Sequence, residues 1–421
     1  MSNENFAVSN VSQALARSAD ALPVHGPAVL SDADCIALLQ WMLRHDTTVQ
    51  QGREEGFAGE LAAYLAERGI DSRIIQGDAG RANLLAVIDS GRPGPHVVFC
   101  GHSDTVPLGD RAWRKPPFGG EVEDGRIYGR GSSDMKGGLA ALVASFLDLA
   151  AADDWSGRLT LAVAYGEETG SEGARLMASD GSLGPFDAMI IAEPTSNRVV
   201  RTHKGALWLA VTAIGRTGHG SMPQMGINAL EMVIRFGDRL RQLDAFRVSH
   251  SLLGQPTICL TRLQGGTQVN VIPDRAAAEF DLRTLPGQDH DAILAEIQGV
   301  AREIEADYAG GRIIVEILNS LPALDTKAES PIVLAALESR SALDMPEDDA
   351  GGASYFTDGS VLQVLGQDIL VLGPGDPAQA HQTDESLDLS DFLASRRIYT
   401  RMTRRLLCSC VDETKSSARH S

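Results

Sequence analysis

Apolar residues recur at helical spacing over residues 34–44 and again over 56–68, and Gly69 suits a helix stop after the second. Two strands are expected next, over 84–89 and 96–100, with the turn Ser90-Gly91-Arg92-Pro93-Gly94 between them. The second carries the unbroken apolar run Val97-Val98-Phe99-Cys100, as a strand covered on both faces should. A glycine-rich loop over 129–138 leads into a helix ending near residue 151. Its nearly apolar stretch, 138–151, is broken by Ser145 and Asp148; it is too short to span a membrane and reads as a buried helix. Further strands are expected over 159–165 and 188–192. Such alternation of strand and helix indicates an α/β layered domain.

The pattern changes near residue 204. Strand 207–214, helix 228–243, strands 257–263 and 276–283, helix 289–306 and strand 311–318 follow in turn. That β-α-β-β-α-β order is the pattern of a small ferredoxin-like α+β domain. After residue 319 the α/β texture returns, with a strand over 368–372 and a last helix over 390–407. The expected organisation is therefore a first domain over 1–203 and 320–421, with a second domain, 204–319, inserted into it. Residues 1–30 are polar and weakly patterned, suiting an arm or a first short helix.

Composition narrows the function. Among 421 residues, 37 Lys and Arg face 56 Asp and Glu, a formal net charge of −19. Apolar residues make up 43%, enough for a large core, so general disorder is excluded. The acidic balance argues against a nucleic-acid partner and against anionic membrane surfaces, both of which require Lys and Arg. Its plainest meaning is a solvated surface. Five scattered cysteines, Cys35, Cys100, Cys259, Cys408 and Cys410, do not form a disulfide framework and read as free thiols. The first basic residue is Arg17, and no basic region followed by an apolar stretch opens the chain, so a cytoplasmic location is expected.

Candidate chemistry sits in five segments. Gly101-His102-Ser103-Asp104, Gly166-Glu167-Glu168 and Ala192-Glu193-Pro194 each directly follow an expected strand. The loop Gly131-Ser132-Ser133-Asp134-Met135-Lys136-Gly137-Gly138 precedes the apolar helix, and Ala380-His381-Gln382-Thr383-Asp384-Glu385 lies far downstream. Each alone is bland: a lone His-x-Asp or Glu-Glu pair is most often surface. Together they place acids and histidines at strand ends, where open α/β sheets gather ligands. Clustered buried carboxylates repel one another unless a cation joins them, and N/O donors without thiolate suit zinc or a similar divalent metal.

These segments resemble the acetylornithine deacetylase and succinyl-diaminopimelate desuccinylase family of dinuclear zinc amidohydrolases, which also includes aminoacylases, carboxypeptidases and dipeptidases. The likeness runs from about residue 38 to 387. It extends to Gly218-His219-Gly220-Ser221-Met222-Pro223, Asn270-Val271-Ile272-Pro273 and Asp281-Leu282-Arg283. The fold it implies is a zinc-hydrolase catalytic domain, a mixed sheet flanked by helices, with the inserted domain serving as lid and dimerisation surface. The resemblance implies that His102, Asp134 and Glu193 hold one metal, and that Asp134, Glu168 and His381 hold the other. Glu167 would be the general base. The Asp104 carboxylate would accept the second ring N–H of His102. His219 would stabilise the oxyanion and in dimeric relatives reaches the partner's active site; Asn270 would lie beside the substrate. Arg283 would bind the substrate carboxylate.

The resemblance thus implies two divalent ions per chain, zinc first, with cobalt or manganese as alternatives. It also implies a homodimer and a small N-acyl amino acid substrate from amino-acid metabolism, its amide hydrolysed. Glu193 in place of Asp resembles the deacylase and carboxypeptidase branches. The stretch Leu372-Gly373-Pro374-Gly375 with Gln379-Ala380-His381-Gln382 is most similar to acetylornithine deacetylases. Ser103 and Thr383 depart from residues common in relatives, Thr and Pro. The alternatives are a carboxypeptidase or dipeptidase using the same centre, and a catalytically inactive binding or regulatory relative.

Overall fold

The computed structural model describes residues 29–78 and 80–408. The arm or helix expected in 1–30 lies outside them except for Val29 and Leu30, and Cys410 lies outside as well. Helix α1 (Asp32–Arg44) starts ahead of its apolar pattern because Ser31 caps it. The Ser31 hydroxyl accepts the Asp34 N–H at 3.2 Å, and the Asp34 carboxylate accepts the Ser31 N–H at 3.1 Å, a reciprocal capping box. Helix α2 (Glu54–Ala66) stops short of Gly69, which turns the chain at a φ of +74°. Strands β1 (Ser72–Gln76), β2 (Ala82–Asp89) and β3 (His96–His102) follow. The pattern does not reveal β1: none of its residues is buried, and it is held by antiparallel pairing to β2.

Helix α3 (Lys136–Ala150), strand β4 (Arg158–Ala164), helix α4 (Glu172–Ser179) and strand β5 (Ala188–Ile191) come next. The chain continues through β6 (Gly205–Ile214), α5 (Ala229–Leu240), β7 (Thr257–Gly265), β8 (Arg275–Thr284), α6 (His290–Asp307) and β9 (Arg312–Leu321). It ends with α7 (Pro331–Ser341), β10 (Ile369–Val371) and α8 (Leu389–Cys408). Every residue of α3 from Lys136 to Leu147 is buried, as its apolar run demands. No helix among the described residues is long and apolar enough to cross a membrane. Cys35, Cys100, Cys259 and Cys408 are free thiols.

The chain separates into two compact units. Among the described residues, the first comprises 29–201, 326–351 and 357–408. Its sheet runs β1-β2-β4-β3-β5-β10 and reaches Val200, which pairs with Val371. Strands β4, β3, β5 and β10 are mutually parallel, while β2 is antiparallel to both of its neighbours. Val97, Val98, Phe99 and Cys100 are all fully buried, so both faces of β3 are covered. The core joins Phe99, Leu161 and Ile190 of the sheet to Leu139 and Phe146 of α3, Leu38 and Met42 of α1, and Phe392 and Tyr399 of α8. Three short strands, Glu121–Glu123, Arg126–Tyr128 and Ser386–Asp388, form a separate small sheet. At three residues each they carry no readable periodicity.

The second unit comprises Thr202–Asp325 and Gly352–Phe356. Its main sheet has four strands in the order β7-β8-β6-β9 with every neighbouring pair antiparallel, a ferredoxin-like arrangement. Buried and half-buried residues alternate along β6, so one sheet face receives the helices. Leu207, Leu209 and Val211 pack there with Phe236 of α5, Phe280 of β8 and Ile297 of α6. Segment 352–356, expected with the last part of the first domain, belongs to this unit. Ala353 accepts the Lys204 N–H at 3.1 Å, and the Phe356 ring meets Trp208 edge-on at 5.9 Å.

Candidate metal centre

Three parallel neighbours in the sheet deliver the site. His102 is the last residue of β3 and sits in register with Ala164, the last residue of β4. Cys100 sits in register with Ile191, the last residue of β5. The chain therefore leaves β4 into Glu167 and Glu168, and β5 into Glu193, on the edge where β3 presents His102. Asp134 arrives on the loop ahead of α3. That helix start can come close because it is glycine: a Cβ on Gly138 would lie 2.0 Å from the Ala192 carbonyl oxygen. His381 arrives from the loop ahead of α8, with its own backbone in the left-handed region at a φ of +63°.

The side chains converge. His102 Nε2 lies 3.4 Å from Asp134 Oδ1 and 3.4 Å from Glu193 Oε1. His381 Nε2 lies 3.2 Å from Asp134 Oδ2 and 3.1 Å from Glu168 Oε2. The two oxygens of Asp134 thus face two different imidazoles. Among the described residues, two sets bring ligand atoms within 4.8 Å of one another: His102, Asp134 and Glu168, and His102, Glu167 and Glu193. His102 Nε2 is buried and has no hydrogen-bond partner. A buried imidazole nitrogen aimed at carboxylate oxygens just beyond hydrogen-bond reach is what a cation site demands.

Electrostatics point the same way. Burial, reinforced by the Glu193 charge, pushes the Glu167 carboxyl well above its ordinary range. Burial and the Asp134 charge push Glu168 up, and burial takes Glu193 up to about 8. For Asp134, burial is outweighed by the close contacts with the imidazoles of His102 and His381, which hold it below the usual carboxylate range. Those to Asp134 and Glu168 raise His381 to about 10. Burial opposes a charge on His102, but Glu193 and Asp134 outweigh it and raise that imidazole too. Concentrated negative charge in a buried cleft is costly, and divalent cations offset it.

Asp104 departs from expectation. His102 Nδ1 lies 2.9 Å from the Asp104 backbone carbonyl and 3.5 Å from its carboxylate. The carboxylate instead accepts the N–H groups of Glu167 at 3.2 Å and Glu168 at 3.1 Å. It is committed to the loop that carries both glutamates, and the main chain fixes the imidazole.

The remaining expected residues belong to the second unit. The two-residue strands Gly218–His219 and Val271–Ile272 pair and bring His219 beside Asn270; both residues are exposed. His219 Nδ1 accepts the Ser221 N–H at 3.1 Å. Arg283 is half-buried, and two of its nitrogens are bound by Asp281, Nε to Oδ1 at 2.8 Å and Nη2 to Oδ2 at 3.0 Å. Asp281 thus leaves the Nη1 edge of the guanidinium uncovered. The Trp208 indole N–H also donates to Asp281, at 3.2 Å.

The arrangement matches a known family. Residues 98–405 fit the model of peptidase family M20/M25/M40. The chain belongs to that family. A protein of Staphylococcus epidermidis named as a probable succinyl-diaminopimelate desuccinylase is 31% identical over 88% of this chain and 97% of its own length. An acetylornithine deacetylase of Aliivibrio fischeri is 33% identical over 82% of this chain and 89% of its own. Among solved structures, an M20 metallo-carboxypeptidase from Sulfolobus solfataricus superposes at a TM-score of 0.75 with 17% identity, covering 90% of this chain and 99% of its own. A dinuclear metal-binding M20 peptidase from Bacillus subtilis does so at 0.69 and 17%, covering 89% and 98%. These two likenesses establish the M20 fold: a mixed sheet flanked by helices.

Proposed function

We propose that this M20 member is a metal-dependent amidohydrolase that cleaves the amide of an N-acyl amino acid, releasing a carboxylate and a free amine. The observation that carries the reading is Asp134, whose two oxygens face His102 and His381 separately. His102, Asp134 and Glu193 would hold one divalent ion, and Asp134, Glu168 and His381 the second. Zinc fits the N/O donor set, and cobalt or manganese would serve the same ligands. A cation pair there supplies acidification of water and polarisation of a carbonyl. Glu167 takes the proton of the attacking water and passes it to the departing amine nitrogen. The Asp104 carboxylate keeps Glu167 in place through the backbone. The amide names of the two relatives, desuccinylase and deacetylase, support this class of substrate.

From the second unit, His219 would donate to the oxyanion, Asn270 would contact the substrate and Arg283 Nη1 would meet its carboxylate. That unit also offers a dimer surface. Strands β7 and β9 are the sheet's edges, and Leu263, Ile314, Ile317 and Leu318 on them are exposed. Sedimentation at micromolar concentration should give a dimer; a monomer alone would remove this role.

The deciding experiment is a panel of acetyl, succinyl and formyl derivatives of ornithine, diaminopimelate and other amino acids, set against dipeptides, with the zinc-loaded protein. Turnover of N-acyl amino acids is expected. Turnover of dipeptides alone would replace the reading with a peptidase, and no turnover and no stoichiometric metal would make the chain an inactive relative.

A further inference from the structure

Glu385 lies four residues past His381 and is fully buried. Both of its oxygens are occupied. Oε1 accepts the Ser133 N–H at 2.7 Å and the Asp134 N–H at 3.0 Å. Oε2 accepts the Gly131 N–H at 3.0 Å and the Arg130 Nη1 donor at 2.7 Å. Arg130 is buried too and also donates to the carbonyls of Gln382 at 3.2 Å and Pro107 at 3.0 Å. The Glu385 carbonyl accepts the Gly129 N–H at 3.0 Å, and next to it Ser386 pairs with Tyr128. One carboxylate therefore gathers three backbone donors of the loop that ends in Asp134. Its own chain segment carries His381.

Charge-assisted bonds of this kind are about twice as strong as neutral ones. A buried carboxylate so fully satisfied fixes its surroundings, whereas a buried anion with fewer donors would be costly. We propose that Glu385 is a positioning residue of the metal centre, setting the Asp134 carboxylate relative to His381 while touching neither metal nor substrate. The inference rests on the reading that Asp134, Glu168 and His381 hold one ion. That ion takes two ligands from the clamped segments. The ion of His102 and Glu193 takes only Asp134 from them.

The test is calorimetric zinc titration of the metal-stripped wild type, Glu385→Gln, and the ligand deletions His381→Ala and Glu193→Ala, which assign the two binding events. In Glu385→Gln the event lost in His381→Ala should weaken by roughly 10–100-fold, the usual cost of removing a ligand's hydrogen-bond support. The event lost in Glu193→Ala should change by less than about threefold. Circular dichroism checks the fold. If Glu385→Gln does not fold, Arg130→Lys, which keeps the charge but loses the fork, should show the same selective weakening at smaller size. Equal weakening of both events, or no change in either, would overturn the positioning role alone. A wild type that binds no metal would instead overturn the underlying functional reading.

Discussion

Glu167 and His203 are two buried ionisable side chains with opposite assignments. Glu167 is among the site residues whose carboxylates lie close to His102, yet it is proposed to move protons rather than to hold an ion. Glu167→Ala should therefore lose about 10²–10⁴ in kcat while still taking up two zinc ions. Wild-type kcat in that variant would remove its role, and loss of metal would make it a ligand. His203 is structural. Its ring is buried, with Nδ1 3.0 Å from the Lys204 carbonyl oxygen, and burial pulls the imidazole down to about 4. In the unfolded chain it titrates near 6.5. Its contribution to stability is therefore complete above about pH 6.5 and is lost as pH falls towards 4, because the unfolded state takes a proton that the folded state refuses. At pH 5 the loss comes to about 2 kcal/mol. Urea unfolding at about pH 8 and about pH 5 should show wild type falling further than His203→Gln by roughly that amount. Parallel losses in the two proteins would show that His203 is not held neutral.

At the scale of elements, the junction of α3 with the β5 loop is the sharpest constraint. Gly137 and Gly138 lie in the first turn of α3, and Cβ atoms there would lie 2.3 Å from the Ser132 carbonyl oxygen and 2.0 Å from that of Ala192. In an open helix, alanine would be better than glycine by up to about 1 kcal/mol. Here Gly138→Ala must move backbone next to Glu193, so it should destabilise by roughly 2 kcal/mol or more and weaken zinc uptake. Unchanged stability and uptake would mean the junction is loose. This contact also shows what could be read in advance. Long apolar runs made β3, β4, β5 and α3 plain, and the residues just past the three strands had to share one edge of the sheet. Strand β1, with no buried residue, left no such signal. Nor could the pattern bring Asp134 and His381 together, since that depends on three-residue strands and on Glu385, a residue with no periodic mark. The resemblance implied a bond from His102 to the Asp104 carboxylate, whereas the ring nitrogen lies nearer the Asp104 carbonyl, and position alone does not say which of the two oxygens makes the bond.

At the scale of the molecule, two hydrophobic clusters that share no residue define the two units. All of the proposed metal ligands lie in the first, while His219, Asn270 and Arg283 lie in the second. Metal binding is therefore linked to the unfolding of the first unit: a ligand at about 100 times its Kd adds about 2.7 kcal/mol to whatever must unfold to release it. In a unit of this size that corresponds to a rise in Tm of several degrees for each ion, roughly 2–4 °C per kcal/mol. Ile297→Ala provides the contrast. Ile297 is fully buried among the helices and sheet of the second unit, and its truncation should cost about 2–5 kcal/mol there. Scanning calorimetry of wild type and Ile297→Ala, each with zinc and with a chelator, should place the zinc shift in one transition and the Ile297→Ala shift in another. If both fall in a single transition, the units unfold as one, and binding energy at the metal ligands also stabilises the unit that bears Arg283. If they separate, the first unit can hold its metals while the second is destabilised. Ile297→Ala would then leave zinc uptake intact and impair turnover, as the substrate contacts proposed for His219, Asn270 and Arg283 require.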